Sequence, residues 1–265
     1  MNKDFVLSLP LPEFGLWDKL RNKRALKSFD LELTARCNYN CRHCYINLPP
    51  GELASKEKEL SVEEIDEIAE EAVSIGALWC LITGGEPLLR KDFFDIYLNL
   101  KKKGLLVSVF TNASLITEEH VKFFKRYPPR DIEVSVYGVS EEIYEKITRR
   151  QGSYDAFMQG LERLLENNIK VRLKAVALRS NISEFPDIAA FCTKKTKDSF
   201  RFDPFLHLRY DRDPEKNLDI KSERLSPEEI VTLETADPKR FEGLGKACAK
   251  LVDPEFSKFQ SDQLF

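Results

Sequence analysis

From Phe29 onward, two patterns take turns along the chain. Short runs in which polar and apolar residues often alternate at every second position read as strands: "FDLELTA", "ALWCLITGG", "LLVSVFTN", "DIEVSVYG", "KVRLKAVAL" and "FRFDPFLHLRY". Longer stretches with helical spacing read as helices: "LSVEEIDEIAEEAVSIG", "KDFFDIYLNLKKKG", "TEEHVKFFKRY", "YDAFMQGLERLLENN" and "EFPDIAAFCTKKT". In the first helix Ser61 can serve as the cap, Glu64 completes a capping box, and Gly76 marks the end. The result is about six βα repeats of roughly 30 residues, which implies a parallel sheet.

Six strands fall short of the eight in a closed barrel, leaving a partial barrel or an open doubly wound sheet. Polar parity chooses between them. Glu32 and Thr34, Ser108 and Asn112, Glu133 and Ser135, Arg172 and Lys174, and Asp203, His207 and Arg209 share one parity. Leu31, Leu33, Val107, Val109, Val134, Val136, Val171 and Leu173 occupy the other. Strands covered by helices on both faces are apolar throughout. One apolar and one polar face fit a TIM-like (β/α)6 half-barrel with a wet inner face; simple solvent exposure of one sheet face is the rival explanation. The expected organisation is a lead-in at 1–28, a barrel core at 29–212 and a helical segment at 213–265.

Composition adds exclusions. Of 265 residues 42% are hydrophobic and 32% charged, as in a soluble globular domain. A net charge of -3 gives no field for nucleic acid. No run approaches a membrane span and residues 1–29 lack a signal-peptide core, so a cytoplasmic location is expected. The six cysteines (37, 41, 44, 80, 192, 248) are not spaced as a disulfide framework, and three of them crowd into "CNYNCRHC". That loop follows the first strand, at the end where α/β folds place their sites. Thiolates suit zinc or iron–sulfur clusters. Structural zinc needs four ligands, and His43 and Cys44 would point apart as neighbours. A four-iron cluster held by three thiolates keeps one iron open to an outside ligand.

"CNYNCRHC" resembles the CxxxCxxC signature of radical S-adenosylmethionine (radical SAM) enzymes, with aromatic His43 before the last cysteine. "TGGEP" (Thr83–Pro87) after the second strand, "TNA" (Thr111–Ala113) after the third and "SVYG" (Ser135–Gly138) after the fourth resemble further family motifs. "ITRRQGSYDAFMQGLERLL" is similar to members with a C-terminal SPASM or twitch extension, and the likeness runs from Asp30 to Arg209.

The resemblance implies a 4Fe–4S cluster on Cys37, Cys41 and Cys44, with its open iron chelating S-adenosylmethionine. Reductive cleavage then yields a 5′-deoxyadenosyl radical that abstracts hydrogen from substrate. Gly84 and Gly85 would let backbone approach the methionine moiety, Glu86 would accept from its ammonium, and Pro87 closes the motif. Asn112 and Ser135 would bond ribose or carboxylate oxygens, His43 would pack on adenine, and Arg149 or Arg150 would pair the carboxylate. Tyr137, Phe110, Lys174, Asp203, His207 and Arg209 are candidate substrate contacts, and His120 reads as a surface residue.

A peptide or protein substrate is expected first, as in anaerobic sulfatase-maturating enzymes and pyrroloquinoline-quinone biosynthesis proteins, and a small metabolite second. The implied electron donor is of the flavodoxin or ferredoxin kind. Family members with the extension carry further cysteines after the barrel, whereas this chain has only Cys248 beyond Cys192, so a piece lacking the auxiliary-cluster domain is expected, with a naturally short barrel protein as the alternative. The competing classes are a non-catalytic zinc protein and a barrel that uses S-adenosylmethionine only as scaffold or methyl donor.

Overall fold

Residues 25–196 and 200–251 are described by the computed structural model. Much of the expected lead-in, and the end of the expected C-terminal segment, lie outside those residues. Six strands pair in parallel and in chain order: β1 (Ser28–Glu32), β2 (Trp79–Thr83), β3 (Leu106–Thr111), β4 (Asp131–Val136), β5 (Val171–Val176) and β6 (Arg201–Asp203). The sheet curls into a half-barrel in which β1 and β6 are edges that do not meet.

Alternation within the strands explains the curl and its two faces. Leu31, Ile82, Val109, Ile132 and Val171 are cross-strand partners in sequence across the sheet. All are buried under helices α2 (Val62–Ser74), α3 (Phe93–Lys102), α4 (Glu118–Arg126), α6 (Ser153–Glu166) and α7 (Phe185–Lys195). Burying each such side chain is worth about 1.5–3 kcal/mol. A one-residue slip would drive Glu133 and Lys174 beneath the helices instead, so hydrophobic burial sets the register. On the other face, Phe110 pairs with Glu133 and Glu133 with Arg172, while Ser135 pairs with Lys174 and Lys174 with Arg201.

Ser61 and Glu64 form the expected capping box on α2, and Gly76 takes φ 108 just beyond its end. Three features depart from the sequence reading. The segment after β4 holds its own helix, α5 (Glu141–Thr148), capped by Ser140. The last strand is three residues long rather than eleven, because Pro204 has no N–H and β6 has no neighbour beyond it. His120 is half-buried rather than free at the surface: its ring centre lies 5.1 Å from that of Phe94, and its Nδ1 pairs with the Thr117 hydroxyl that caps α4.

A short turn α1 (Leu53–Lys56) follows the cysteine loop, and α8 (Pro214–Glu223), α9 (Pro227–Ala236) and α10 (Pro238–Leu251) follow the sheet. No helix among the described residues is long and apolar enough to cross a membrane.

Candidate functional site

The cysteine loop leaves the C-terminal end of β1 and is tied down through its backbone. Cys37 N–H donates to Leu48 O at 2.8 Å, and Leu48 N–H to Ala35 O at 2.8 Å. Asn40 N–H and Arg42 N–H donate to Thr148 O and Ile147 O, carbonyls at the end of α5 that a helix terminus leaves without partners. The loop therefore caps α5. Buried Arg36 anchors its start, gripping Glu59 with Nε at 2.7 Å and Nη2 at 3.0 Å and reaching Pro50 O at 3.0 Å. Tyr39 O–H donates to Ser153 O at 3.1 Å.

Held this way, Cys37, Cys41 and Cys44 line one wall of a cavity of about 500 Å³, a volume suited to a cofactor-sized ligand. Burial pushes the Cys37 thiol up to about 12, raises Cys41 well above the ordinary thiol range and raises Cys44 as well. Charge on Cys44 or Cys37 further disfavours ionising Cys41. Among the described residues, no three Cys, His, Asp or Glu side chains are grouped to hold a single metal ion. Three soft thiol donors from one loop suit an iron–sulfur cluster, whose ligands are thiolates. Ligation would remove their protons.

Gly84 and Gly85 line the same cavity, but their need for hydrogen lies on the far side. A Cβ on Gly84 would sit 2.5 Å from Thr34 O, and one on Gly85 would sit 2.3 Å from Arg36 O. Gly85 N–H and Glu86 N–H donate to those same two carbonyls, at 2.7 and 2.9 Å. The glycines thus let the turn after β2 lie flat against the start of the cysteine loop. Asn112 completes the join: its Nδ2 donates to Asn38 Oδ1 at 2.9 Å, beside Cys37, and its Oδ1 accepts from Ser114. Ser135 and Tyr137 line the opposite side. His43 packs against Tyr137 with ring centres 5.0 Å apart and planes tilted by 58°, and burial lowers its pKa to about 4, so the ring is neutral at pH 7 with a buried Nδ1 that has no partner.

Glu86 does not line the cavity; it is fully buried behind Gly85. Its carboxylate accepts from Leu88 N–H (3.2 Å), the Thr111 hydroxyl (2.8 Å) and Asn112 N–H (2.8 Å), joining the turn after β2 to the end of β3. Pro87 opens the buried turn that follows. Burial raises the Glu86 pKa from 4.5 to about 7 despite those donors. The folded chain therefore keeps a proton that the unfolded chain releases, so Glu86 contributes stability below pH 4.5 that is lost as pH rises through 7. The loss is on the order of 3 kcal/mol. Carbon-13 NMR of the metal-free protein should show one glutamate carboxyl titrating near 7 that is absent in Glu86→Gln; a midpoint below 5 for that carboxyl refutes the assignment.

The candidate substrate contacts separate into two groups. Phe110, Lys174, Asp203 and His207 line the cavity with Tyr137. Lys174 Nζ pairs with Asp203 at 2.5 Å and lies 5.4 Å from the Phe110 ring centre. Arg209 is elsewhere: buried, it pairs with Asp211 and donates to Asn47. The two arginine candidates for a carboxylate also miss the cavity. Arg149 takes φ 51 at the end of α5 and pairs with Asp219 at 2.7 Å, and Arg150 is exposed. Among the described residues, Lys174 is the one Lys or Arg lining this cavity.

Sequence reasoning did not assign Asp30, Glu32 or Tyr45 to the site. All three line the cavity, with Tyr45 O–H donating to Glu32 at 2.6 Å. The signal was present, since Asp30 and Glu32 share the polar parity of β1 with Thr34.

A model of the Radical SAM superfamily matches residues 31–192. Over 156 residues the chain is 33% identical to the Fe-coproporphyrin III synthase of Methanosarcina barkeri, covering 59% of this chain and 38% of that protein. Over 159 residues it is 31% identical to the antilisterial bacteriocin subtilosin biosynthesis protein AlbA of Bacillus subtilis, covering 60% of this chain and 35% of that protein. The matched stretch thus spans little more than a third of these relatives. The crystal structure of Streptococcus suis SuiB bound to precursor peptide SuiA superposes with a TM-score of 0.59 at 16% identity, covering 71% of this chain and 41% of that one, a likeness of fold.

Proposed function

Because the chain belongs to the radical SAM superfamily, whose members carry a 4Fe–4S cluster and S-adenosylmethionine, we propose that Cys37, Cys41 and Cys44 are the cluster ligands. The observation that carries this is the meeting of three thiols from one loop with the ends of β2, β3 and β4 at a single cavity. When bound, the two cofactors supply reductive cleavage to a carbon radical that abstracts hydrogen from substrate. The chain's own residues bind and orient. Gly84, Gly85, Asn112 and Ser135 offer backbone and polar side chains to the methionine and ribose groups, and neutral His43 with Tyr137 offers flat apolar surface to the adenine. The curled sheet shields the reacting carbon from water.

The substrate in this reading is a peptide or protein side chain, reached by Asp30, Glu32, Lys174 and Asp203 on the polar inner face. Support comes from the bacteriocin-biosynthesis relative and the peptide-bound structural neighbour, while the synthase relative favours a small metabolite. A flavodoxin- or ferredoxin-type donor completes the proposal. One assay tests both levels. Reconstituted enzyme is incubated with S-adenosylmethionine, reductant and perdeuterated cell extract split into peptide and small-metabolite fractions. Deuterium should enter 5′-deoxyadenosine from the peptide fraction. Label from the metabolite fraction alone refutes the substrate class, and no 5′-deoxyadenosine at all refutes the radical reading.

A further inference from the structure

The polypeptide between β6 and α9 crosses back over the cysteine loop and is fastened to it by charge. Arg42, inside the cysteine motif, pairs with Glu223 at 2.9 Å, and Arg149 pairs with Asp219 at 2.7 Å, both acids lying on α8. The same crossing brings two cations onto Asn47, three residues after Cys44. Arg209 Nη1 donates to Asn47 Oδ1 at 3.1 Å, and Lys216 Nζ donates to Asn47 O at 3.1 Å. Asn47 is itself buried and holds Asn40 through its Nδ2 at 3.1 Å, so both ends of the motif are gripped.

The two cations differ in their compensation. The Arg209 guanidinium is neutralised by Asp211, with Nη2 to Oδ2 at 2.5 Å. Lys216 makes no close ion pair among the described residues and donates to a backbone carbonyl, while the Asp211 carboxylate feels both cations, so Arg209 and Lys216 against Asp211 leave one net positive charge. A net charge in a half-buried setting acts over several ångströms with little screening.

We propose that residues 204–225 form a strap whose ammonium at Lys216, seated on Asn47 beside Cys44, makes the cluster easier to reduce. This rests on the reading that the three cysteines hold a 4Fe–4S cluster. Reduction adds one electron from a flavodoxin- or ferredoxin-class donor and no proton or bond, so the cluster with its thiolates becomes more negative by one charge. A nearby fixed cation favours that state, and net charge and hydrogen bonds to the sulfurs are what set such potentials. Asn47 and Cys44 line the same cavity, so a cation held on Asn47 sits at the wall that carries the Cys44 thiol. Arg209 is a positioning residue here: it holds Asn47 in place while Asp211 cancels its charge.

The test is an EPR-monitored redox titration of the reconstituted protein with dithionite, in the absence of S-adenosylmethionine. Lys216→Met keeps the aliphatic stem and should move the midpoint to more negative potential at unchanged iron and sulfide content. Asp211→Asn leaves Arg209 uncompensated and should move it the opposite way. Opposed shifts support the proposal. Unchanged midpoints, or shifts of one sign in both variants, overturn it and leave the cluster reading standing. Should either variant lose iron, the remaining loaded fraction still reports its own midpoint and is judged by the same signs. A wild-type protein that binds no cluster would instead overturn the ligand assignment, and this proposal with it.

Discussion

Cys41→Ala, reconstituted anaerobically with iron and sulfide, should release 5′-deoxyadenosine only at background. If background is about a thousandth of the wild-type rate, this is a loss of about 4 kcal/mol or more in transition-state stabilisation. The chain should nevertheless stay folded. The loop carrying Cys41 is held by backbone bonds to Ile147, Thr148 and Leu48 and by the Arg36–Glu59 pair, none of which uses the thiol. Circular dichroism should therefore match wild type while the broad absorption near ~400 nm is lost. Cys192→Ala is the matched control. Cys192 is buried on α7 beneath the sheet and far along the chain from the motif. Its loss should lower stability through a small cavity and leave the cluster and its cleavage activity intact. If Cys41→Ala retains activity, or if wild type binds stoichiometric zinc and no iron, the ligand assignment fails.

Gly160→Ala should produce a large loss of stability from a single methyl group. Alanine inside a helix normally favours folding by about 1 kcal/mol over glycine. Gly160 lies within α6, yet a Cβ there would fall 1.9 Å from the Ala113 carbonyl oxygen, a contact that backbone must move to relieve. Ala113 is already in the left-handed region at φ 64, immediately after β3, so it has little room to yield. Overpacking of this kind costs about 1–3 kcal/mol or more, which outweighs the helix gain. For a chain of this size a net loss of about 2 kcal/mol lowers the melting temperature by about 4–8 °C. The displacement would also reach Asn112, whose amide holds Asn38 beside Cys37. Cluster retention should fall in parallel with stability. A melting temperature equal to or above wild type in a differential scan would show that the two backbones separate easily.

Both expectations use features that differ in how plainly the chain displays them. The half-barrel was legible because its inner and outer faces have opposite polarity and strand parity records that directly. The cysteine loop was legible because three thiols within eight residues have few structural uses. Helix α5 was missed because it is a short element between a strand and a stronger helix, with Ile143, Tyr144 and Ile147 as its apolar residues. The final strand was overextended because Phe205 to Arg209 keeps an alternating pattern while lacking any strand to pair with. Arg149 and Arg209 were placed near a ligand by motif position or parity. The Asp219 partner of Arg149 and the Asn47 contact of Arg209 depend on a return over the cysteine loop that no local pattern announces. Long-range pairings of this kind depend on where the chain comes back, and periodicity carries no record of that.

The separation of β1 from β6 governs how a reactant arrives. A closed eight-stranded cylinder is packed solid with its own side chains and presents only its rim. The six described strands leave β1 and β6 unpaired with one another, with Asp30 and Glu32 on one post and Asp203 on the other, and the rings of Tyr45 and His207 meeting between them at 6.4 Å. Under the proposed peptide reading, a polymer lays one residue into such a doorway from the flank, with the rest of its length remaining outside. Neither terminus needs to be threaded, and a midpoint is as reachable as an end.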